Sequence, residues 1–384
     1  VPIRATDLDA IVAFAIEKSI DFAVIGPDDP LIAGVCDRLR AAGIRCFGPS
    51  KAAAAIEGSK SFSKNLMRKY GIPTADYAVF DRATEAYAYL AGANYPVVIK
   101  ADGPALGKGV IIANDRQEAF QAVHAMMEEG AFGSSGSRVV VEEFLMGNEA
   151  SVLAFTDGDT LIPMISALDH KRALDGDKGL NTGGMGALAP NPFYTLEMAR
   201  TCMEMIFLPT IRAMSAEGRP FSGCLFFGLM LTKNGPKVIE YNCRFGDPET
   251  QAVLPLLETD LLEIMLAIDE GRLGEVPVRF RGGSACCVVL ASGGYPGAYQ
   301  TGVEISLGDA ERAENVFLYH AGTKIEQDRL VTAGGRVLGV TALGVDARAA
   351  RYAAYAVAER IHFDNVFYRR DIGARAIATA EQGE

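Results

Sequence analysis

The chain has 384 residues, 49% of them hydrophobic and 22% charged, with a formal net charge of −11. That length accommodates two or three domains of ordinary globular composition. Lysines and arginines scattered among an excess of acids argue against free nucleic acid as a partner, and no apolar run approaches the roughly 18 residues of a membrane span.

Thr6 or Asp7 caps a predicted helix with Leu8, Ile11, Val12, Ala15 and Ile16 on its apolar face. DFAVIGP reads as a short buried strand, a helix runs through Leu39 to Gly43, and IRCFGP is the next strand. This strand–helix–strand rhythm predicts a parallel sheet with covering helices. A long helix is expected from about Ser50 to Tyr70, stopped by Gly71 and Pro73. VVIK and VIIA are strands joined by a glycine-rich segment, followed by a helix over 115–129 and a third strand, RVVVEEFL. EASVLAF and TLIPMIS flank a hairpin turn at Asp157-Gly158-Asp159. Residues 169–191 carry little periodicity and many glycines, and read as a loop too long to be filler. Residues 195–217 are helical with a kink or break at Pro209. FSGCLFFGLMLT and PKVIEYNCRF form a hairpin across Asn234-Gly235, and residues 255–273 are mostly helical. From about Gly282 short strands separated by glycine turns, then a helix near 347–361, predict a separate β-rich C-terminal domain. The seven cysteines show no CxxC or metal-like spacing and read as reduced core residues of a cytosolic protein.

Four segments can carry chemistry. In KADGPALGKGV, glycines 103, 107 and 109 let backbone N–H groups approach an anion, with Lys100 and Lys108 supplying charge. Alone the segment reads equally as a glycine-rich hairpin, and Gly109 stands where a P-loop needs Ser or Thr. In KVIEYNCRFGDPE, Glu240, Asn242 and Arg244 are spaced by two and share one strand face. A carboxylate beside an amide oxygen suits a hard cation such as Mg²⁺, and Arg244 suits a phosphate or a transferring phosphoryl group; a solvated face is the plain alternative. Glu142 and Glu143 end an apolar strand and Glu149 follows a glycine turn; such acids are often merely exposed, or they accept from an adenine amino group and ribose hydroxyls. Finally, Asp169, His170, Lys171 and Arg172 precede a glycine-rich stretch with Asn181 and Thr182, suited to an anionic polar substrate. His170 has no visible partner and reads as structural or binding sooner than as a general base.

In this order, GSK at 58–60, VVIKADG…GKGV, VEEFL…NEAS, DHKR…NTGGMGA and KVIEYNCRFGDPETQ resemble the ATP-grasp ligases, and within them the phosphoribosylamine–glycine ligase family. GGYPGAY, HAGTK, GGRVLGVTALG and FYRRDIG carry the resemblance through the C-terminal part, so that it covers essentially the whole chain. It implies an α/β (α+β) architecture: a partial doubly wound N-terminal domain at 1–58, an ATP-grasp domain at 59–282 with a lid over about 74–147, and a small β-rich domain at 283–384. It further implies that Lys60 and Lys100 contact the phosphates of ATP, under a cover formed by Gly103, Gly107, Lys108 and Gly109. Glu142, Glu143, Phe144 and Leu145 would meet adenine and Glu149 the ribose, while Glu240 and Asn242 would hold Mg²⁺ or Mn²⁺. Asp169, His170, Lys171, Asn181, Thr182, Gly183, Arg244 and Asp247 would line the site for glycine and 5-phosphoribosylamine, with Arg244, Lys100 and Asp169 closest to the chemistry. A cytoplasmic enzyme is expected, monomeric or weakly dimeric, without nucleic-acid or membrane partners. Another ATP-grasp ligase or carboxylase, or a nucleotide-binding protein without turnover, are the competing readings. Several positions depart from the family pattern: Asp28, Leu168, Leu180, Pro104 and Leu106. The family's glycine-rich strand-to-helix turn is expected to precede Val1, so the chain reads as lacking its natural start.

Overall fold

A computed structural model describes residues 1–105 and 109–382. Its first sheet is small: Phe22–Val24 pairs in parallel with Arg45–Phe47, the arrangement expected of a partial doubly wound unit. The helix before the second strand is two helices, Asp28–Ala33 and Val35–Ala41, because Gly34 sits at φ 97 and ends the first.

The predicted helix over 50–70 is likewise two, Lys51–Gly58 and Lys60–Tyr70. Ser59 is extended, and its hydroxyl accepts the Phe62 N–H at 3.2 Å, a local cap that restarts the helix. The Lys60 N–H donates to the Asp102 carbonyl at 2.9 Å, which sets this helix start against the glycine-rich segment.

An antiparallel sheet follows, ordered Tyr77–Phe80, Val139–Glu143, Val97–Ala101, Val110–Ala113. Helices Ala83–Leu90 and Arg116–Val123 cover one face, where Ile99, Val139, Val141, Leu90, Ala119 and Val123 are buried together. The expected helix over 115–129 ends its regular part at Val123 and continues as a single π turn, His124–Glu128. The helical stretch after Thr195 also has a π turn, Met203–Phe207; Pro209 sits at the start of the next segment, Leu208–Ala216, where a missing N–H costs nothing.

The central sheet runs Gly235–Asn242, Gly223–Thr232, Asn148–Thr156, Leu161–Pro163. Its two inner strands, Gly223–Thr232 and Asn148–Thr156, are buried on both faces over most of their length. Along Gly223–Thr232, Leu225, Phe227 and Leu229 join one core with Ala150, Val152 and Ala154, whereas Cys224 and Phe226 join a second with Leu153 and Phe155. The Phe227 ring lies 4.4 Å from Phe207 and meets Tyr241 edge-on at 5.6 Å.

The segment 169–191 is more structured than its sequence indicates. Arg172–Leu174 and Lys178–Asn181 pair as a hairpin, and Gly186–Ala189 is fully buried between Ser284–Ala291 and Leu168–Asp169. GALA is too short and too uniformly small to show a period. It joins the C-terminal strands in one five-stranded sheet with Arg336–Gly344 and Val316–His320, so this sheet crosses the boundary expected near 282. All seven cysteines are free and buried. Among the described residues no helix is long and apolar enough to cross a membrane.

Candidate functional site

The lid sheet and the central sheet meet where charged side chains collect. On Gly235–Asn242 the pairing with Gly223–Thr232 slips by one residue: Glu240 opposes Gly228 and Val238 opposes Leu229, leaving Ile239 as a bulge. The slip keeps Glu240 and Asn242 on one face while Val238 and Tyr241 are buried. Gly228 is needed here, since a Cβ would stand 2.7 Å from Cγ of Glu240. The bulged Ile239 carbonyl accepts from Lys100 Nζ at 2.9 Å.

Glu240 Oε1 accepts from Lys171 Nζ at 2.8 Å. Lys171, then Lys100 and Lys60, hold its carboxyl down at about 2 against the opposing effect of burial. Burial alone would depress the Lys171 ammonium, yet Glu240, Glu149 and Asp169 raise it well above its ordinary value. Asn242 donates its amide nitrogen to Glu57 Oε1 at 2.9 Å, so its oxygen is the atom left for a cation. Glu57 also accepts from the Cys243 N–H at 2.7 Å and from Arg244 at 3.2 Å, which fixes the end of this strand. Burial depresses the Arg244 guanidinium, and Glu57, Asp28 and Glu249 more than reverse it.

Two oxygen donors on one strand face, with one carboxylate held ionised, fit a magnesium-like ion that takes few protein ligands and completes its shell with waters or phosphates. Among the described residues no group of three or more His, Cys, Asp or Glu is placed to hold a metal unaided.

Lys60 Nζ donates to the Gly103 carbonyl at 3.1 Å, and burial followed by Lys100 depresses its ammonium. Lys100 is 3.0 Å from Glu142 Oε1. Glu142 and Glu143 are adjacent on a strand and diverge: Glu142 is buried between Lys64 and Lys100, while Glu143 binds Lys237 at 2.6 Å and the Asp76 N–H at 3.1 Å. Phe144 and Glu149 are exposed beyond them, with Leu145 partly covered. Gly107 and Lys108 lie outside the described residues, and Gly109 ends the segment with its carbonyl bonded to the Ala101 N–H at 2.9 Å.

A second cluster flanks Lys171. The carboxyl of Asp169 is pushed well above its ordinary range by burial and by Glu249, and its Oδ1 is buried without a hydrogen-bond partner among the described residues. Burial raises Glu249 too, although Ser151 donates to it at 3.0 Å. Thr182 bridges the Lys171 carbonyl at 2.8 Å and the Gly184 N–H at 3.0 Å. Gly183 donates to the Tyr295 hydroxyl and accepts from Arg336, which also pairs with Asp247 at 2.6 Å. His170 is turned into the fold. Its Nδ1 faces the Gly186 carbonyl at 3.3 Å, its Nε2 accepts the Gly373 N–H at 3.0 Å, and burial with Arg369 lowers it to about 4. Asn181 pairs across the hairpin with Arg172.

The structure thus gathers Lys60, Lys100, Lys171, Glu240 and Asn242 around one junction, sets Arg244 at its edge through Glu57, and places Asp169 beside Lys171. Sequence reasoning missed Glu57, Lys64, Glu249, Arg336 and Arg369. A buried ion-pair partner on a helix has no local signature, as for Glu57 and Lys64; Glu249, Arg336 and Arg369 lay in segments that the family resemblance had already marked.

Three family profiles match in order: phosphoribosylglycinamide synthetase N domain over 1–57, its ATP-grasp (A) domain over 58–250 and its C domain over 285–375. A phosphoribosylamine–glycine ligase of Agrobacterium fabrum is 50% identical over 98% of this chain and 89% of its own length. One of Vibrio cholerae is 48% identical over 98% and 88%. The crystal structure of the phosphoribosylamine–glycine ligase of Thermotoga maritima superposes with a TM-score of 0.78 at 38% identity, covering 85% of this chain and 82% of that one. A biotin carboxylase from Campylobacter jejuni shares the fold alone, with a TM-score of 0.75 at 16% identity, covering 98% and 82%. With all three domain profiles matched in order and relatives near half identical across nearly its whole length, the chain belongs to the phosphoribosylglycinamide synthetase family.

Proposed function

We propose that the chain ligates glycine to 5-phosphoribosylamine at the expense of ATP, giving glycinamide ribonucleotide, ADP and phosphate in purine biosynthesis. The observation that carries this reading, beyond family membership, is the junction of three lysines with Glu240 and Asn242 between the lid and central sheets. Such a cluster suits a triphosphate far better than a neutral ligand.

Lys60 and Lys100 neutralise the phosphates, with Gly103 and Gly109 flanking them. Glu240 and Asn242 would hold a divalent ion, Mg²⁺ or Mn²⁺, which would supply charge neutralisation to the phosphates. A carboxylate oxygen of glycine attacks the γ-phosphorus, and the bond from that phosphorus to the ADP oxygen breaks. Arg244 faces the transferring group. The amine of phosphoribosylamine then attacks the acyl carbon of glycyl phosphate, phosphate leaves with the electron pair of the C–O bond, and the nitrogen sheds a proton. Asp169, set beside Lys171 with an unpaired buried oxygen, receives it. Lys171, Thr182, Gly183 and Asp247 orient the two substrates, with Asn181 on the adjoining hairpin. His170 contributes to binding by fixing that region. Glu142 accepts from the adenine amino group, Glu149 meets the ribose, and Glu143, Phe144 and Leu145 complete the base pocket through backbone and packing. A lid over about 74–147 excludes water from the acyl phosphate. Domains at 1–58, 59–282 and 283–384, a cytoplasmic location, small-molecule partners only and a monomer or weak homodimer complete the proposal.

The test is phosphate release from ATP with each substrate omitted in turn. Release is expected only when glycine and phosphoribosylamine are both present; release indifferent to both sinks the reading.

A further inference from the structure

Lys64 has no part in the chemistry above, yet it is among the most deeply buried charges in the protein. It is 2% exposed, on the helix Lys60–Tyr70, and its Nζ lies 2.8 Å from Glu142 Oε2 and 2.8 Å from Thr74 Oγ1. Thr74 in turn donates to the Val238 carbonyl at 2.7 Å, on the strand that carries Glu240 and Asn242. The Tyr77 ring, on the residue paired across the sheet with Glu142, covers the ammonium at 5.8 Å from its centroid. Lys64 is therefore anchored to the central sheet, and it grips a carboxylate belonging to the lid sheet.

Glu142 is 3% exposed and is held unevenly. Oε2 is fixed by Lys64. Oε1 is 3.0 Å from Lys100 Nζ, but no donor among the described residues is aligned on it, so it is a buried acceptor without a hydrogen bond. A buried acceptor left so points to a donor that arrives with a ligand. Burial lowers the Lys64 ammonium to about 8, with Glu142 opposing the shift, consistent with a cation kept in place by this one carboxylate.

We infer that Lys64 is a positioning residue for base recognition: by holding Oε2 of Glu142 it keeps Oε1 aimed at the exocyclic amino group of adenine, and so sets the preference for a 6-aminopurine over a 6-oxopurine nucleotide. The inference rests on Glu142 contacting adenine. Without Lys64, Lys100, already 3.0 Å from Oε1, is the one cation left in contact with Glu142 among the described residues, and the carboxylate turns further toward it. That rotation removes the acceptor from the base and draws Lys100 from the phosphates.

The experiment measures kcat/KM for ATP and for inosine triphosphate, whose base carries a carbonyl oxygen in place of the amino group. The proteins are the unaltered chain, Lys64→Met, Glu142→Gln and the double variant. The unaltered chain favours ATP, and Lys64→Met lowers that preference at least about ten-fold, mainly through the KM for nucleotide, with the KM for glycine unchanged. The double variant discriminates no worse than Glu142→Gln alone, because Lys64 acts through Glu142. A purely structural lysine would weaken both nucleotides alike, and an unchanged preference ratio overturns the inference. An unaltered chain that uses both nucleotides equally overturns the adenine role of Glu142 itself. Should Lys64→Met not fold, Thr74→Val, which removes the hydroxyl anchoring Lys64 at nearly constant shape, must lower the ratio; no change there overturns the inference equally.

Discussion

Arg369→Met should both destabilise the protein and loosen its substrate side. Arg369 is 2% exposed and holds Asp371 through two bonds, Nε at 2.7 Å and Nη2 at 2.8 Å. It also reaches Asp177 at 2.9 Å and the Arg172 carbonyl at 3.1 Å, so it ties the C-terminal segment to the 172–181 hairpin. Removing one partner of a buried pair costs roughly 3–5 kcal/mol. Asp371 provides an independent measure. Burial raises its carboxyl, but the Arg369 bonds and the Gly176 N–H bring it from 3.8 to about 2. At 1.36 kcal/mol per pKa unit the whole shift is at most roughly 2 kcal/mol; Gly176 and Asp175 share it with Arg369, and solvent screening at this partly exposed carboxyl reduces it further. Asp177 is largely exposed and adds little. The expected loss is therefore about 2–4 kcal/mol at pH 7, read by urea unfolding. Because the folded-state value of Asp371 is depressed, its contribution is complete above about pH 4 and is lost as pH falls toward 2. The deficit of the variant must shrink over that window. In kinetics, the KM for glycine or phosphoribosylamine should rise about ten-fold while that for ATP stays within about two-fold, since only the hairpin side is released. A loss below about 1 kcal/mol, or a deficit that does not change with acid, would refute the reasoning.

Lys171→Met leaves Glu240, Glu149 and Asp169 facing one another without their shared cation; kcat should fall about a hundred-fold or more in a coupled ADP-release assay. Glu240→Gln removes the one carboxylate held ionised at the proposed metal position, and the Mg²⁺ concentration for half-maximal rate should rise at least about ten-fold, as read in a metal titration. His170→Leu deletes two ties to backbone and should cost about 1–3 kcal/mol, but the rate profile between pH 6 and 8 should keep its shape, because the native imidazole is already neutral there. As the folded value of His170 lies below the unfolded one, its stabilisation is lost between about pH 6.5 and 4. Phe227→Ala empties a buried ring position against Phe207 and Tyr241 and should cost about 3–5 kcal/mol in thermal or urea unfolding, with substrate KM values little changed.

The strands of the two large sheets were legible because their apolar runs end in strong turn signals, Asp157-Gly158 and Asn234-Gly235 among them. The shared face of Glu240 and Asn242 was legible from alternation. The bulge at Ile239, which gives Lys100 a carbonyl to hold, was not, since nothing in VIEYN marks an extra residue. Helix breaks at Gly34 and Ser59 escaped because one glycine or serine inside an apolar pattern is tolerated as often as it interrupts. The buried strand Gly186–Ala189 was hidden by small residues without periodicity, and with it the continuity of the C-terminal sheet across residue 282. Polar partners brought from distant segments, such as Glu57 to Asn242 or Arg369 to Asp177, depend on tertiary contact and leave no trace in local spacing.

The measurement that bears most directly on the proposed chemistry follows oxygen. Glycine carrying ¹⁸O in its carboxylate is turned over with ATP and phosphoribosylamine, and the inorganic phosphate is analysed by mass spectrometry. Activation by the γ-phosphoryl group at the lysine-lined junction predicts one labelled oxygen in each phosphate released. Phosphate without label, while product still accumulates, would contradict it.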